Sequence, residues 1–111
     1  MLQIIKKAGS DFKPDSKAEY SNSNYVLLSY ILEQVYEKSY SEVLTEKIIT
    51  PIGLKNTSFG SSINLANNEA NSYSYNGEWV KQTETDMSVP MGAGGVISTP
   101  SDLTLFADAL F

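Results

Sequence analysis

The chain contains no cysteine and no histidine. Without thiols it cannot carry a disulfide framework, a cysteine nucleophile or a cysteine-based zinc site, and the redox compartment is left undecided. Without imidazole, neither a Ser-His-Asp triad nor the usual histidine metal sites can be assembled from these residues. Long apolar runs are missing too: nothing approaches the roughly 20 residues of a membrane-spanning helix. Positive charge is sparse and scattered. Eight Lys and Arg against 13 Asp and Glu leave a net charge of −5, with a sequence pI near 4.5. That balance argues against nucleic acid and against an anionic lipid surface as partners. The opening Met1-Leu2-Gln3-Ile4-Ile5-Lys6-Lys7 has too short an apolar stretch, and the wrong charge order, for a signal peptide. It reads as an internal boundary rather than a natural beginning.

The residues that are present make ordinary globular material. Of the 111 residues, 41% are hydrophobic and 19% charged, enough for one domain with a modest core. Pro14 disfavours helix at Lys13 and closes off a short amphipathic turn or helix at the N-terminus. A first long helix is expected from Ser23 or Asn24 to Tyr36, with Tyr25, Leu28, Leu32 and Val35 at helical spacing and Leu27 and Ile31 widening a stripe that should be buried. A second is expected from Ser39, where Ser39-Tyr40-Ser41-Glu42 has capping-box spacing, to a stop at Thr50-Pro51. Residues 55–72 read as loop and residues 81–91 as irregular. Asn76-Gly77, set between Tyr73, Tyr75 and Trp79, signals a hairpin that would have to pack on the helices. A third helix has Thr99 as N-cap and Pro100 as first residue. Asp102 lies at its positive end, and Leu103, Phe106, Ala107 and Leu110 form its expected buried face.

The residues richest in chemistry are Tyr20 and Asn22, two apart on the lip of the first long helix. A phenol there can move protons when a cation or an electropositive edge assists it. An amide with two donors and one acceptor can grip a substrate carbonyl or amide. A bare Tyr-x-Asn triplet is ordinarily a packed aromatic and a cap, so the flanks decide. Phe12-x-Pro14, Tyr20-Ser21-Asn22-x-x-Tyr25-x-Leu27-Leu28, Ile48-x-x-Pro51-Ile52-Gly53-Leu54-x-x-Thr57 and Gly94-Gly95-Val96-Ile97-Ser98-Thr99-Pro100-Ser101-Asp102-Leu103 occur in order.

This succession resembles the middle section of the β-lactamase-like serine hydrolases: class C β-lactamases, penicillin-binding proteins, DD-peptidases and esterases. The resemblance implies a mainly α chain with a small β-hairpin, forming the helical subdomain of that α/β fold as one partial domain over residues 1–111. It implies that Tyr20 is the catalytic tyrosine assisting proton transfer to and from a nucleophilic serine, and that Asn22 binds substrate or orients a catalytic lysine. It implies no metal or organic cofactor, and a small-molecule or peptide substrate: β-lactam, D-Ala-D-Ala peptide or ester. The whole protein would be exported to the periplasm, envelope or exterior.

Such sites combine three motifs, and the other two are missing here. Neither Lys-Thr-Gly nor His-x-Gly occurs. Ser10-Asp11-Phe12-Lys13 matches Ser-x-x-Lys in letters, but Pro14 biases Lys13 away from the helix that would bring serine and lysine onto one face. The 111 residues alone are therefore expected to be an inactive internal fragment. Apolar surface left by a missing sheet would favour self-association. The alternative is a non-catalytic helical binding or scaffold module derived from the family. Gly92-Ala93-Gly94-Gly95 lacks the third glycine of a dinucleotide fingerprint. Glu84 and Asp86 read as a solvated loop rather than a metal site.

Overall fold

A computed structural model describes residues 1–60, 62–87 and 89–111. The N-terminal helix α1, Leu2–Ala8, buries none of its residues and ends at Gly9, where φ is 79°. The chain then turns through Phe12–Ser16, with the Ser16 amide donating to the Lys13 carbonyl at 3.2 Å.

Helix α2 spans Asn22–Tyr36, so it begins slightly earlier than its periodicity indicates; Ser21 is its extended N-cap residue and Glu37 its left-handed terminus. Its packing departs from expectation. The stripe of Tyr25, Leu28, Ile31, Leu32 and Val35 is exposed, Val35 to 70%, while Val26 and Ser29 are buried. The cause is a short 3₁₀ turn, Met91–Ala93, that lies across the Val26–Ser29 side of the helix. Close approach of two backbones needs small residues. A Cβ on Gly92 would come within 2.5 Å of the Tyr25 carbonyl oxygen and 2.9 Å of Ser29 Cβ. Ser29, only 1% exposed, turns its hydroxyl inward to donate to the Val26 carbonyl at 2.7 Å. Apart from the Tyr20 ring against Tyr25, the wide apolar stripe stays largely open.

Helix α3, Tyr40–Leu44, starts with the anticipated capping box: the Glu42 amide donates to Ser39 Oγ, and the Ser39 amide to Glu42 Oε2. The Ser39 hydroxyl, which donates to Glu42 Oε2 at 2.6 Å, and then the Ser39 amide hold the Glu42 carboxyl below the usual carboxylate range. The Tyr40 amide donates to Glu33 Oε1 at 2.9 Å and ties α3 to α2. Thr50-Pro51 does not stop the chain. The backbone widens into a π turn over Thr45–Ile49 and continues through a last turn, α4, Thr50–Ile52, to a left-handed Gly53. Pro51 has no N–H to return to the preceding turn, and the wider turn before it relaxes the clash between its ring and the carbonyl four residues back.

The segment read as loop contains a strand, β1, Ser58–Phe59, and a 3₁₀ turn, Leu65–Asn67. Strands β2, Tyr73–Tyr75, and β3, Trp79–Lys81, form the expected hairpin, with Tyr75 opposite Trp79 and Gly77 at a φ of 82°. It does not bury its aromatics on the helices. Tyr75 and Trp79 pack on each other at 5.1 Å, and Trp79 stays 72% exposed. A second antiparallel pair joins β1 to β4, Val96–Ile97. Beside it Phe59 meets the Tyr40 ring edge-on at 5.1 Å.

Helix α5, Pro100–Leu110, has the predicted cap, Thr99 Oγ1 accepting from the Asp102 amide at 3.3 Å. Its expected buried face is open: Leu103 is 58% exposed, with Leu110 and Phe106 exposed as well. The helix is anchored through its first turn instead. Asp102, 3% exposed, accepts from the Asn56 amide and the Thr57 hydroxyl, both at 2.7 Å, and Thr57 Oγ1 lies 2.8 Å from Ser98 Oγ. The apolar core is correspondingly small and consists of Val26, Val43 and Leu54.

Candidate active site

Tyr20 ends the extended segment before α2, and Asn22 is the first residue of the helix. Ser21 between them is in the β region, at φ −146° and ψ 118°. Alternation along extended backbone sends side chains two residues apart to the same side. The Tyr20 hydroxyl accordingly donates to Asn22 Oδ1 at 2.8 Å. The cap position belongs to Ser21, so Asn22 lies inside its own helix; its side-chain carbonyl accepts from the phenol, and among the described residues no bond engages its two amide hydrogens. Both side chains are exposed, Tyr20 to 75%. The Tyr20 ring leans on Tyr25, with centroids 5.7 Å apart and planes at 40°.

The first turn of α2 contains no acidic residue and no side-chain cap, so nothing there offsets the partial positive charge of the helix N-terminus. Lys17, the cation nearest in sequence, is engaged elsewhere: its Nζ pairs with Glu19 Oε2 at 2.6 Å and lies 4.8 Å from the Phe12 ring centroid.

The structure does not bring Ser10 and Lys13 together on a helical face. Ser10 lies in a loop, its hydroxyl donating to the Phe12 carbonyl at 2.6 Å, and Lys13 starts a turn. Glu84 is occupied by the Ile63 amide at 3.1 Å, and no group of three or more possible metal-binding side chains occurs among the described residues. The glycine-rich segment 92–95 forms the turn under α2 and the lead into β4.

Sequence reasoning missed two features. Tyr25, read as core, stands beside Tyr20, because the first turn of α2 curls it back over the extended segment. Asp102, read as a cap, also clamps the loop at Asn56 and Thr57. Spacing gave no signal for either contact, since both depend on the path of the chain outside the helices.

The family model described as Beta-lactamase matches residues 1–111. The chain belongs to the beta-lactamase family. Among its relatives is the teichoic acid D-alanine hydrolase of Staphylococcus aureus (strain MRSA252), 31% identical over 103 residues. That alignment covers 92% of this chain and 26% of the hydrolase. The D-amino acid amidase of Ochrobactrum anthropi SV3, solved with L-phenylalanine, superposes with a TM-score of 0.85 at 33% identity, over 99% of this chain and 32% of the amidase. FmtA from Staphylococcus aureus gives a TM-score of 0.85 at 29% identity, over 98% and 32% of the two chains. The chain therefore spans about a quarter to a third of the length of these family members. The mainly helical fold with its small hairpin is that of the corresponding part of beta-lactamase-family proteins.

Proposed function

We propose that this chain contributes the tyrosine–asparagine edge of a serine-acylating hydrolase whose substrates carry a D-amino acyl amide or ester. The single observation that carries this reading is the 2.8 Å bond from Tyr20 to Asn22 on the open lip of α2, in a member of the beta-lactamase family. The substrate class is supported by the names of the relatives, a teichoic acid D-alanine hydrolase and a D-amino acid amidase. β-Lactams and D-Ala-D-Ala peptides present the same kind of acyl carbon.

In the proposed cycle, a serine supplied from outside these residues adds to the substrate carbonyl. Its proton passes to the Tyr20 oxygen while the phenol's own proton leaves Asn22 Oδ1 for the departing amine or alcohol, so the phenol relays one proton and stays neutral as the acyl–heteroatom bond breaks. Water then adds to the acyl-enzyme, regenerating serine and releasing the acid. Asn22 donates to the substrate's acyl-amide carbonyl and holds the reacting carbon in line, a contribution of orientation rather than of charge. With substrates of that kind the whole protein would work outside the cytoplasm, a reading supported by its relatives rather than by the site.

The test uses the full-length gene product, a fluorescent penicillin and D-alanine p-nitroanilide. Acylation and turnover are expected, with Tyr20→Phe lowering kcat by about 10²–10⁴-fold, the usual size of a proton-transfer contribution. The isolated 111 residues should do neither. Acylation of the isolated chain, or an undiminished kcat in Tyr20→Phe, would overturn the assignment. Failure of the full-length protein to acylate or turn over would favour the non-catalytic module.

A further inference from the structure

Tyr20 is held at two points: the hydroxyl bond to Asn22 Oδ1 and the ring of Tyr25, 5.7 Å away. With three-quarters of its surface open, water competes for the hydrogen bond, and that bond alone does not fix the ring about its torsions. A neighbouring ring does restrict it, and this pair lies within the 4.5–7 Å range of aromatic contacts. Tyr25 is in turn fixed from behind. Its carbonyl oxygen sits where Gly92 leaves space only for hydrogen. The turn pressed there starts at Met91, whose φ of 29° is unusual for a residue with a side chain. Tyr25 thus meets the Tyr20 ring with its own ring and the Gly92 turn with its backbone carbonyl.

We infer that Tyr25 is a positioning residue for Tyr20: its ring holds the phenol in the rotamer that meets Asn22, so that the proton carrier is ordered before substrate binds. The inference rests on the proposed role of Tyr20. An aromatic contact shifts a rotamer population by about threefold to tenfold, and that is the size of effect to look for. A rotamer shift changes how often the bound complex is competent for proton transfer, not how tightly substrate is held.

The experiment compares Tyr25→Leu, Tyr25→Phe and Tyr20→Phe in the full-length protein, with D-alanine p-nitroanilide as substrate. Tyr25→Leu should lower kcat by about threefold to tenfold with KM unchanged, and Tyr25→Phe, which keeps the ring, should restore it. In the full-length protein, nuclear Overhauser contacts between the two rings should be present, and the Tyr20 ring protons should shift in Tyr25→Leu but not in Tyr25→Phe. An unchanged kcat in Tyr25→Leu, where Tyr20→Phe is crippled, overturns the inference and leaves the role of Tyr20 standing. An unchanged kcat in Tyr20→Phe overturns both. Should Tyr25→Leu fail to fold, absence of the ring-to-ring contact in the wild type is decisive against it.

Discussion

Replacing Gly92 with alanine puts a methyl group where the structure has no room. The new Cβ would stand 2.5 Å from the Tyr25 carbonyl oxygen, 2.9 Å from Ser29 Cβ and 3.4 Å from Ser29 Oγ. Carbon atoms pack comfortably at about 3.5–4.0 Å, so either the 3₁₀ turn or the helix must move by about an ångström. The first obstacle is backbone inside α2, which cannot swing away as a long side chain would. Overpacking of this kind costs about 1–3 kcal/mol, a large share of a typical net stability of about 5–15 kcal/mol.

Gly94, two residues on, is the internal control. Its Cβ would meet Pro90 Cβ at an ordinary 3.5 Å, and its φ of 175° is open to any residue. Gly94→Ala should therefore be neutral or slightly stabilising, since it also restricts the unfolded chain. Urea unfolding of the full-length protein, followed by far-UV circular dichroism, measures both midpoints. The predicted order is Gly94→Ala at or above wild type and Gly92→Ala well below. Equal midpoints for the two variants would refute the close approach of the turn to α2.

Three further expectations can be checked directly. Asp102 is held below the usual carboxylate range chiefly by the Thr57 hydroxyl, against the opposing effect of burial, with the Asn56 and Lys55 amides adding to it. Its folded-state pKa is depressed, so its contribution is complete above the unfolded value of about 3.9 and is lost as pH falls through the lower folded value. Asp102→Asn should lower stability at neutral pH and flatten the acid side of a stability-against-pH profile; an unaltered acid side would refute the clamp. In Ser39→Ala the capping box is lost, at a cost of about 1 kcal/mol in a urea titration, and no change would show that Glu42 caps unaided. Finally, we propose that the isolated 111-residue chain self-associates through the exposed stripe of α2, where Leu28, Ile31 and Val35 lie on one face. Sedimentation velocity should show concentration-dependent association that Leu28→Lys with Val35→Lys abolishes; a monomeric wild type at all concentrations removes the proposal.

Features decided by short-range bonds were legible in the sequence. The Ser39–Glu42 box, the Thr99-Pro100 start of α5 and the Asn76-Gly77 hairpin each close within a few residues, so they could be read without knowing the rest of the chain. The shared edge of Tyr20 and Asn22 belongs with them, because one extended residue sets it. Which faces are covered was settled only by tertiary packing. Periodicity marks a face as apolar but does not say what meets it: the 3₁₀ turn took the narrow Val26–Ser29 line of α2 and left the broad stripe open. Packing also settled the pairing of β1 with β4, the clamp on Asp102 and the contact between Tyr20 and Tyr25. These contacts are fixed by the route of the connecting loops, which one-dimensional spacing does not encode.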